Sequence, residues 1–496
     1  MSKGTEGPVE QKVEHGVEEQ GGLTRGIERR SIDYVPEDER HGKVWHQGPF
    51  WFLGNFQFFT ITIGFIGPSI GLAMGWTILA GTLGILFGTL FMAFHAIQGA
   101  QLGLPQMVQS RAQFGYRGVV LPLFATFFTY VAFNVVDSVL IASGLGGLFG
   151  WARTVVIVVI SLIACVIAIY GYDWVHVVFR TLFWISLPFY TILTIAVLLG
   201  HAGGNASAPG GFSLVAFMAQ FTASASYNIT YAPYVSDYSR YLPRDTRPRA
   251  IIASVFFGAS GSAIWLIALG AWLATRLGAT DALVSLRDAG DNVFGGLGTI
   301  LAFTSVAILV ATMGMNAYGG MLTTVTAIDA FRKVTPTRRV RVVTIIALTV
   351  LWTVVSLSIS AGAVDVLFTT LIMMLYLLAP WTAVNLVDYF FVRRGRYAIT
   401  ELFVVDGLYD TWGRRGISAF LLGFAASIPF WVLPGIWTAP IGKALQGVDL
   451  AWLVGLLVSG VSYFLLSRSL DLGAEIRKVR ASEQALEGDP SGAPSV

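Results

Sequence analysis

The sequence is short of charge: only 12% of its 496 residues are Asp, Glu, Lys or Arg, while 55% are hydrophobic and the mean hydropathy is +0.67. Soluble domains carry about a quarter charged residues, so a soluble multidomain protein is excluded. The single cysteine, Cys165, lies in an apolar run and excludes both an internal disulfide and a thiolate metal cluster. A net charge of +3 is too small to point to nucleic acid. No phosphate-binding loop and no nucleophile with its base is present in the sequence, which disfavours ATP-driven transport and membrane enzymes. Residues 1–48 are hydrophilic, from Glu6, Glu10, Glu14, Glu18 and Glu19 to Arg25, Arg29 and Arg30, without the short apolar core of a signal peptide. They read as a cytosolic segment, and residues 471–496 as a disordered cytosolic tail.

Long apolar runs are abundant. They occur near residues 50–75, 77–100, 119–148, 153–171, 175–200, 212–236, 250–275, 296–329, 341–361, 364–391, 416–438 and 449–467. At the 17 to 25 residues that a helix needs to cross a bilayer, this predicts an all-α polytopic membrane protein with about twelve spans. The run 296–329 is long enough for part of it to lie along the surface. Arginines concentrate after the even-numbered spans, at Arg111 and Arg117, Arg240 to Arg249, Arg332 to Arg341, and Arg393 to Arg415. By the positive-inside rule those loops and both termini are cytoplasmic.

The first run carries Ile61-Thr62-Ile63-Gly64-Phe65-Ile66-Gly67-Pro68-Ser69-Ile70-Gly71 at its centre. Proline removes a backbone donor and glycine lowers the cost of non-helical dihedrals, so the helix is expected to break there. The sixth run holds Ala223-Ser224-Ala225-Ser226-Tyr227-Asn228-Ile229-Thr230-Tyr231-Ala232-Pro233, small and polar, and interrupted by Pro233. Spans one to five and six to ten then form inverted repeats, about 49–200 and 212–392, because an odd repeat enters the second time from the opposite side. Two extra helices follow within 416–467, giving a transporter domain of 49–470. Paired broken spans mark a midplane binding site. In the third run Tyr130, Phe133, Asn134 and Asp137 share one helical face, and an ionisable side chain inside a span marks function by default.

Three sets of residues carry a resemblance. Gly103-Leu104-Pro105-Gln106-Met107-Val108-Gln109-Ser110-Arg111-Ala112-Gln113-Phe114-Gly115 is the first, and Ser236-Asp237-Tyr238-Ser239-Arg240-Tyr241 the second. The third is Ala379-Pro380-Trp381 with Asp388-Tyr389-Phe390 and Arg393-Arg394-Gly395-Arg396-Tyr397. Together they resemble the nucleobase-cation symporter family, whose members include cytosine, uracil, allantoin, hydantoin and thiamine permeases. The resemblance runs from Ile32 to about Leu470. It implies a LeuT-like fold of two five-helix inverted repeats plus two helices. It also implies a planar heterocycle stacked between aromatics of the third and sixth spans, hydrogen-bonded from the first, third, sixth and eighth.

Carried over by position, the resemblance makes Phe133 the stacking aromatic and puts Asp137 where relatives have an amide. That acid either accepts from an amino- or guanidine-like edge or is the protonation site that couples transport. Tyr227, Asn228 and Tyr231 fall near the second aromatic position, Tyr231 as stacking partner and Asn228 as amide clamp. In Ala311-Thr312-Met313-Gly314-Met315-Asn316-Ala317-Tyr318, Asn316 matches the family's asparagine. The broken first span contributes backbone at Gly64 and Gly67, and a sodium shell would use Gly64, Phe65 and Thr312. Ala311 replaces one of two hydroxyl residues of sodium-coupled relatives, which favours a proton. Asp237 and Arg240 read as a structural or gating pair, Gln57 as one polar residue that could face the cavity, and His95 and His176 as packing groups.

The expected function is a secondary-active symporter that imports a small planar nitrogen-rich compound: a nucleobase, a hydantoin or allantoin, or a vitamin-like heterocycle. Coupling is to H+ or Na+, by alternating access, with no cofactor and no covalent chemistry. The alternatives are a transporter of a cationic amine or guanidine-like compound through Asp137, an uncoupled facilitator, and a transporter-like receptor. The expected partners are the small-molecule substrate and the lipids of the cell membrane, with no nucleic acid, and the chain is expected to act as a monomer.

Overall fold

The computed structural model describes residues 32–204, 210–335, 337–360 and 362–488. Helices occupy all twelve expected positions. Nine of those described are long and apolar enough to cross a membrane, ten when the bent first pair is counted as one. The remaining two are the broken sixth span and the short eleventh, Arg414–Ser427. Among the described residues the sheet content is one hairpin, Val432–Leu433 paired antiparallel with Trp437–Thr438. The eleventh helix therefore stops well short of 438: Pro429 cannot continue it, and Pro434-Gly435 turns the chain back.

The long eighth run is one continuous helix, Leu297–Asp329, and the surface helix lies before it, at Ala282–Val293. The second span, Met74–Leu102, packs along the sixth and the seventh, Pro248–Arg276, and the seventh packs on the first. Glycine sets how closely they approach: a Cβ on Gly84 or Gly88 would lie 2.4 or 2.3 Å from the carbonyl oxygens of Phe221 and Ala225. Such small-residue seams are how helices associate where lipid removes the hydrophobic drive. The third, fourth, eighth and ninth spans pack as a second group, with the third, Val120–Phe149, lying along the eighth.

Two expectations change. Residues 471–496 are not wholly irregular, since Leu472–Gly488 is a helix; 489–496, like 1–31, lie outside the described residues. Its Glu475 accepts from Arg393 at both carboxylate oxygens, at 2.9 and 3.0 Å, its Lys478 reaches Glu401 at 2.8 Å, and its Glu483 meets Arg244 at 3.0 Å. The propensity of this polar stretch is too weak to be legible alone; tertiary ion pairs hold the helix. The first span also breaks elsewhere. Val44–Asn55 and Phe58–Ser69 meet at 56°, at Phe56 and Gln57, in addition to the expected interruption, where Phe58–Ile63 ends and Ile66–Ser69 begins across Gly64 and Phe65.

Candidate functional site

The sharper of the two breaks in the first span, at Phe56 and Gln57, needs no glycine or proline. Gln57 takes an extended conformation, φ −147° and ψ 161°, which strips the last carbonyls of Val44–Asn55 of their helical partners. Side chains take over. Gly54 O accepts from Gln57 Nε2 at 3.0 Å and from Tyr231 Oη at 3.1 Å, and Asn55 O accepts from Thr60 Oγ1 at 2.6 Å. Gln57 Nε2 also donates to Tyr227 Oη at 3.1 Å. The two broken spans are thus stitched together at their breaks. In the sixth span the interruption falls at Thr230 and Tyr231, between Leu214–Ile229 and Ala232–Ser239, because Pro233 has no N–H to return to Ile229.

Around this junction the aromatics of three spans converge. Phe133 lies nearly parallel to Tyr231, with centroids 5.9 Å apart and 16° between planes; Phe59 stacks on Tyr227 at 5.2 Å and 20°. Phe133 meets Tyr227 and Phe59 edge-on at 6.4 and 5.6 Å. A planar guest between two rings needs about 7 Å between them, so entry between Phe133 and Tyr231 spreads the pair by about an ångström.

The polar groups at this cluster are rich in acceptors. Asn316 Nδ2 donates to Asn134 Oδ1 at 2.9 Å, and Asn134 Nδ2 to Met313 O at 3.2 Å. Three buried oxygens, Gln57 Oε1, Asp137 Oδ1 and Asn316 Oδ1, have no hydrogen-bond partner among the described residues. Asp137 lies one turn beyond Phe133, within electrostatic reach of the hydroxyls of Tyr227, Tyr231 and Tyr234. An unpaired buried acceptor costs about 1–3 kcal/mol. Such oxygens beside flat rings can receive N–H donors from a planar ligand.

Below the cluster, the motif residues build a buried polar layer at the arginine-rich end. Arg111 pairs with Asp329 at 2.8 Å and lies 4.2 Å over Tyr116, whose hydroxyl donates to the same carboxylate at 2.7 Å. Asp237 accepts from Gln106 N at 3.0 Å, and Arg240 donates to Tyr318 at 3.1 Å. Asp388 receives Arg393, Tyr463, Tyr397 and Gln113.

A family of permeases for cytosine and purines, uracil, thiamine and allantoin matches residues 34–455. The chain belongs to this family. The permease is 35% identical over 442 residues to YxlA of Bacillus subtilis, assigned as a purine-cytosine permease, covering 89% of this chain and 96% of that one. It is 24% identical to the purine-cytosine permease FCY2 of Saccharomyces cerevisiae, over 90% and 86% of the two chains. Its fold is similar to that of Mhp1, a nucleobase-cation-symport-1 family transporter, in a closed conformation with bromovinylhydantoin bound. The TM-score is 0.72 at 17% identity, over 92% of this chain and all of that one. Inward-facing Mhp1 aligns with a TM-score of 0.67 at 16% identity, over 92% and 98%. The permease therefore has the LeuT-like fold, spans the membrane many times, and is a transporter, not an enzyme.

Of the residues expected from the sequence, Phe133, Tyr227, Tyr231, Asp137 and Asn316 come together in the permease. Asn228 stands apart in its bonding: its Oδ1 accepts from Asn55 at 2.8 Å and its Nδ2 donates to Thr89 at 2.6 Å, so the amide ties the sixth span to the first and second. Gly64 and Gly67 serve packing. A Cβ on Gly64 would sit 2.3 Å from Ile267 O of the seventh span, and Gly67 faces Thr77 while its N–H donates to Gln220 at 2.8 Å. Of the backbone expected in a sodium shell, Phe65 O accepts from Ser69 N, whereas Gly64 O loses its helical donor because Pro68 has no N–H; Thr312 Oγ1 donates to Ile308 O. Sequence reasoning missed Phe59, Thr60 and Asn55. Their signal was Gln57, a polar residue among aromatics, with Asn55 two residues before it.

Proposed function

We propose that the permease is a secondary-active symporter that imports a planar, nitrogen-rich heterocycle presenting several N–H donors: a nucleobase, a hydantoin- or allantoin-like ureide, or a vitamin-like ring. The observation that carries this is the meeting of the near-parallel Phe133 and Tyr231 rings with three unpartnered acceptor oxygens, on Gln57, Asp137 and Asn316. Stacking supplies affinity that any flat ring shares; the oxygens select rings with N–H edges, since a hydrogen-bonding site rejects analogues that leave it unpaired. The family's named substrates are of this kind.

Coupling is to a cation, by alternating access of the helices around the two broken spans. The proton is favoured over sodium, because the Asp137 carboxyl lies at the ring cluster and Thr312 has Ala311 beside it in place of a second hydroxyl. The arginine-rich loops put both termini in the cytoplasm, and the chain works as a monomer in the cell membrane.

Asp137 supports a second reading, that the guest carries a positive charge, as an amine or guanidine does. A thermal-shift and uptake screen in proteoliposomes separates them. Nucleobases, hydantoins, allantoin, thiamine, pyridoxine and guanidino compounds are compared with and without a pH gradient. Stabilisation by neutral N–H-rich rings with gradient-dependent uptake is expected. Stabilisation by guanidino compounds alone supports the second reading, and no response to any compound overturns both.

A further inference from the structure

A cavity of about 400 Å3 lies at the arginine-rich end of the bundle, between the ends of the tenth and twelfth spans and the helix Leu472–Gly488. Four arginines and one glutamate line it. Arg393 and Glu475 neutralise each other across their two-pronged contact, with Asp388 on the far side. Arg394, Arg396 and Arg468 remain, all exposed and outside the ion pairs found among the described residues. Ser467 lines the same wall; it is 5% exposed, and its Oγ has no partner among the described residues. Arg394 holds a left-handed backbone, φ 51°, a conformation that costs a non-glycine residue about 1 kcal/mol or more and persists where the surroundings impose it. It lifts the guanidinium to the cavity's rim immediately after the buried Arg393.

The lipid-facing side has the complementary character. Leu457, Val461, Phe464 and Arg468 recur at helical spacing along one face of the twelfth span, and the three apolar members are 58%, 57% and 40% exposed. Arg468 lies 5.5 Å over the Phe464 ring, which anchors the cation at the end of that apolar track. Phe391, 64% exposed, forms the opposite wall. A soluble anion would use the arginines and leave the track empty. A molecule with an acyl chain and an anionic head uses both.

We propose that this cavity binds the phosphodiester headgroup of an anionic phospholipid, with an acyl chain along Leu457, Val461 and Phe464. Arg394, Arg396 and Arg468 hold the phosphate. Because Glu475 and Arg393 form the floor, the bound lipid also fastens Leu472–Gly488 against the tenth span. The inference rests on membrane insertion, which the family establishes, and is independent of the substrate reading.

The test uses the full-length protein in detergent, with bound lipid counted by native mass spectrometry against phosphatidylglycerol and phosphatidylcholine. The wild type is expected to retain phosphatidylglycerol in preference. Each of Arg394→Gln and Arg468→Gln is expected to lower that affinity roughly fivefold, and the double variant about 25-fold, since each removes one direct charge-assisted contact to the bound phosphate. Arg338→Gln with Arg339→Gln removes the same charge from an exposed site on another span and is expected to change nothing. Equal losses in both double variants would reduce the effect to diffuse surface charge and overturn the site. So would an unchanged affinity in the pocket variant, or displacement of the lipid by soluble glycerol 3-phosphate at equal concentration.

Discussion

The Phe133 ring lies 16° from parallel with the ring of Tyr231, at a centroid separation of 5.9 Å, although the two residues come from spans in different helix groups. This pair gives the first prediction. Phe133→Ala removes one wall of the stack and is expected to weaken binding of a stabilising heterocycle by roughly 5- to 150-fold, as loss of one base-stacking aromatic does. Tyr231→Phe keeps the stack and loses the hydroxyl's 3.1 Å bond to Gly54 and its contact with the Tyr227 hydroxyl, so its effect should be smaller. Titration calorimetry decides, and wild-type affinity in Phe133→Ala would sink the stacked geometry.

Asp137 is buried, with Oδ1 unpartnered, at a ring cluster where proton occupancy can be linked to substrate. Asp137→Asn preserves shape and removes titration. Uptake of a neutral heterocycle is expected to lose its response to an imposed pH gradient while counterflow exchange survives. If the variant keeps the wild-type pH profile, another group carries the proton.

Gly64 and Gly75 differ in their surroundings. A Cβ at Gly64 meets the backbone of Ile267 and Ala271 at 2.3 and 2.8 Å, whereas one at Gly75 has open space. Gly64→Ala should therefore destabilise by about 1–3 kcal/mol through overpacking, and Gly75→Ala should be neutral or slightly stabilising. Thermal unfolding in detergent distinguishes them, and equal melting temperatures would show that the first and seventh spans do not touch at Gly64.

Asp449 precedes the twelfth span, 4% exposed, accepting from Tyr376 at 2.8 Å and from Ala451 N at 2.9 Å. Burial outweighs those bonds and raises its carboxyl from 3.8 to about 6. A group that holds its proton more tightly when folded stabilises fully below the lower value, and its contribution is lost as pH rises through the upper one. Melting temperature should therefore decline between pH 4 and 6 from this group, and Asp449→Asn should flatten that part of the curve. An unchanged slope in the variant would assign the dependence elsewhere.

The second break in the first span shows where legibility ended. Gly64 and Pro68 looked like breakers because their backbone preferences are local properties. Gly64 and Phe65 do interrupt the helix, in short-range turns, and glycine's smallness also serves a neighbouring helix. The sharper break, at Gln57, depends on partners far along the chain: Tyr227 and Tyr231 satisfy what the extended residue leaves open. The sixth-span break was legible because Pro233 enforces it with its own missing donor.

Spans, their number and their small-residue seams follow from the sequence itself. Lipid demands long apolar helices with internally satisfied backbone, so hydropathy alone fixes where they run. One face of the third span, with Phe133, Asn134 and Asp137, was equally local, since helical periodicity orders it. Tertiary structure alone decided that Asn228 is a strut, that Leu472–Gly488 is helical, and that Phe59 reaches the Phe133 cluster. Each of those depends on contacts between distant spans, and a buried polar group takes whichever partner the packing brings within about 3 Å.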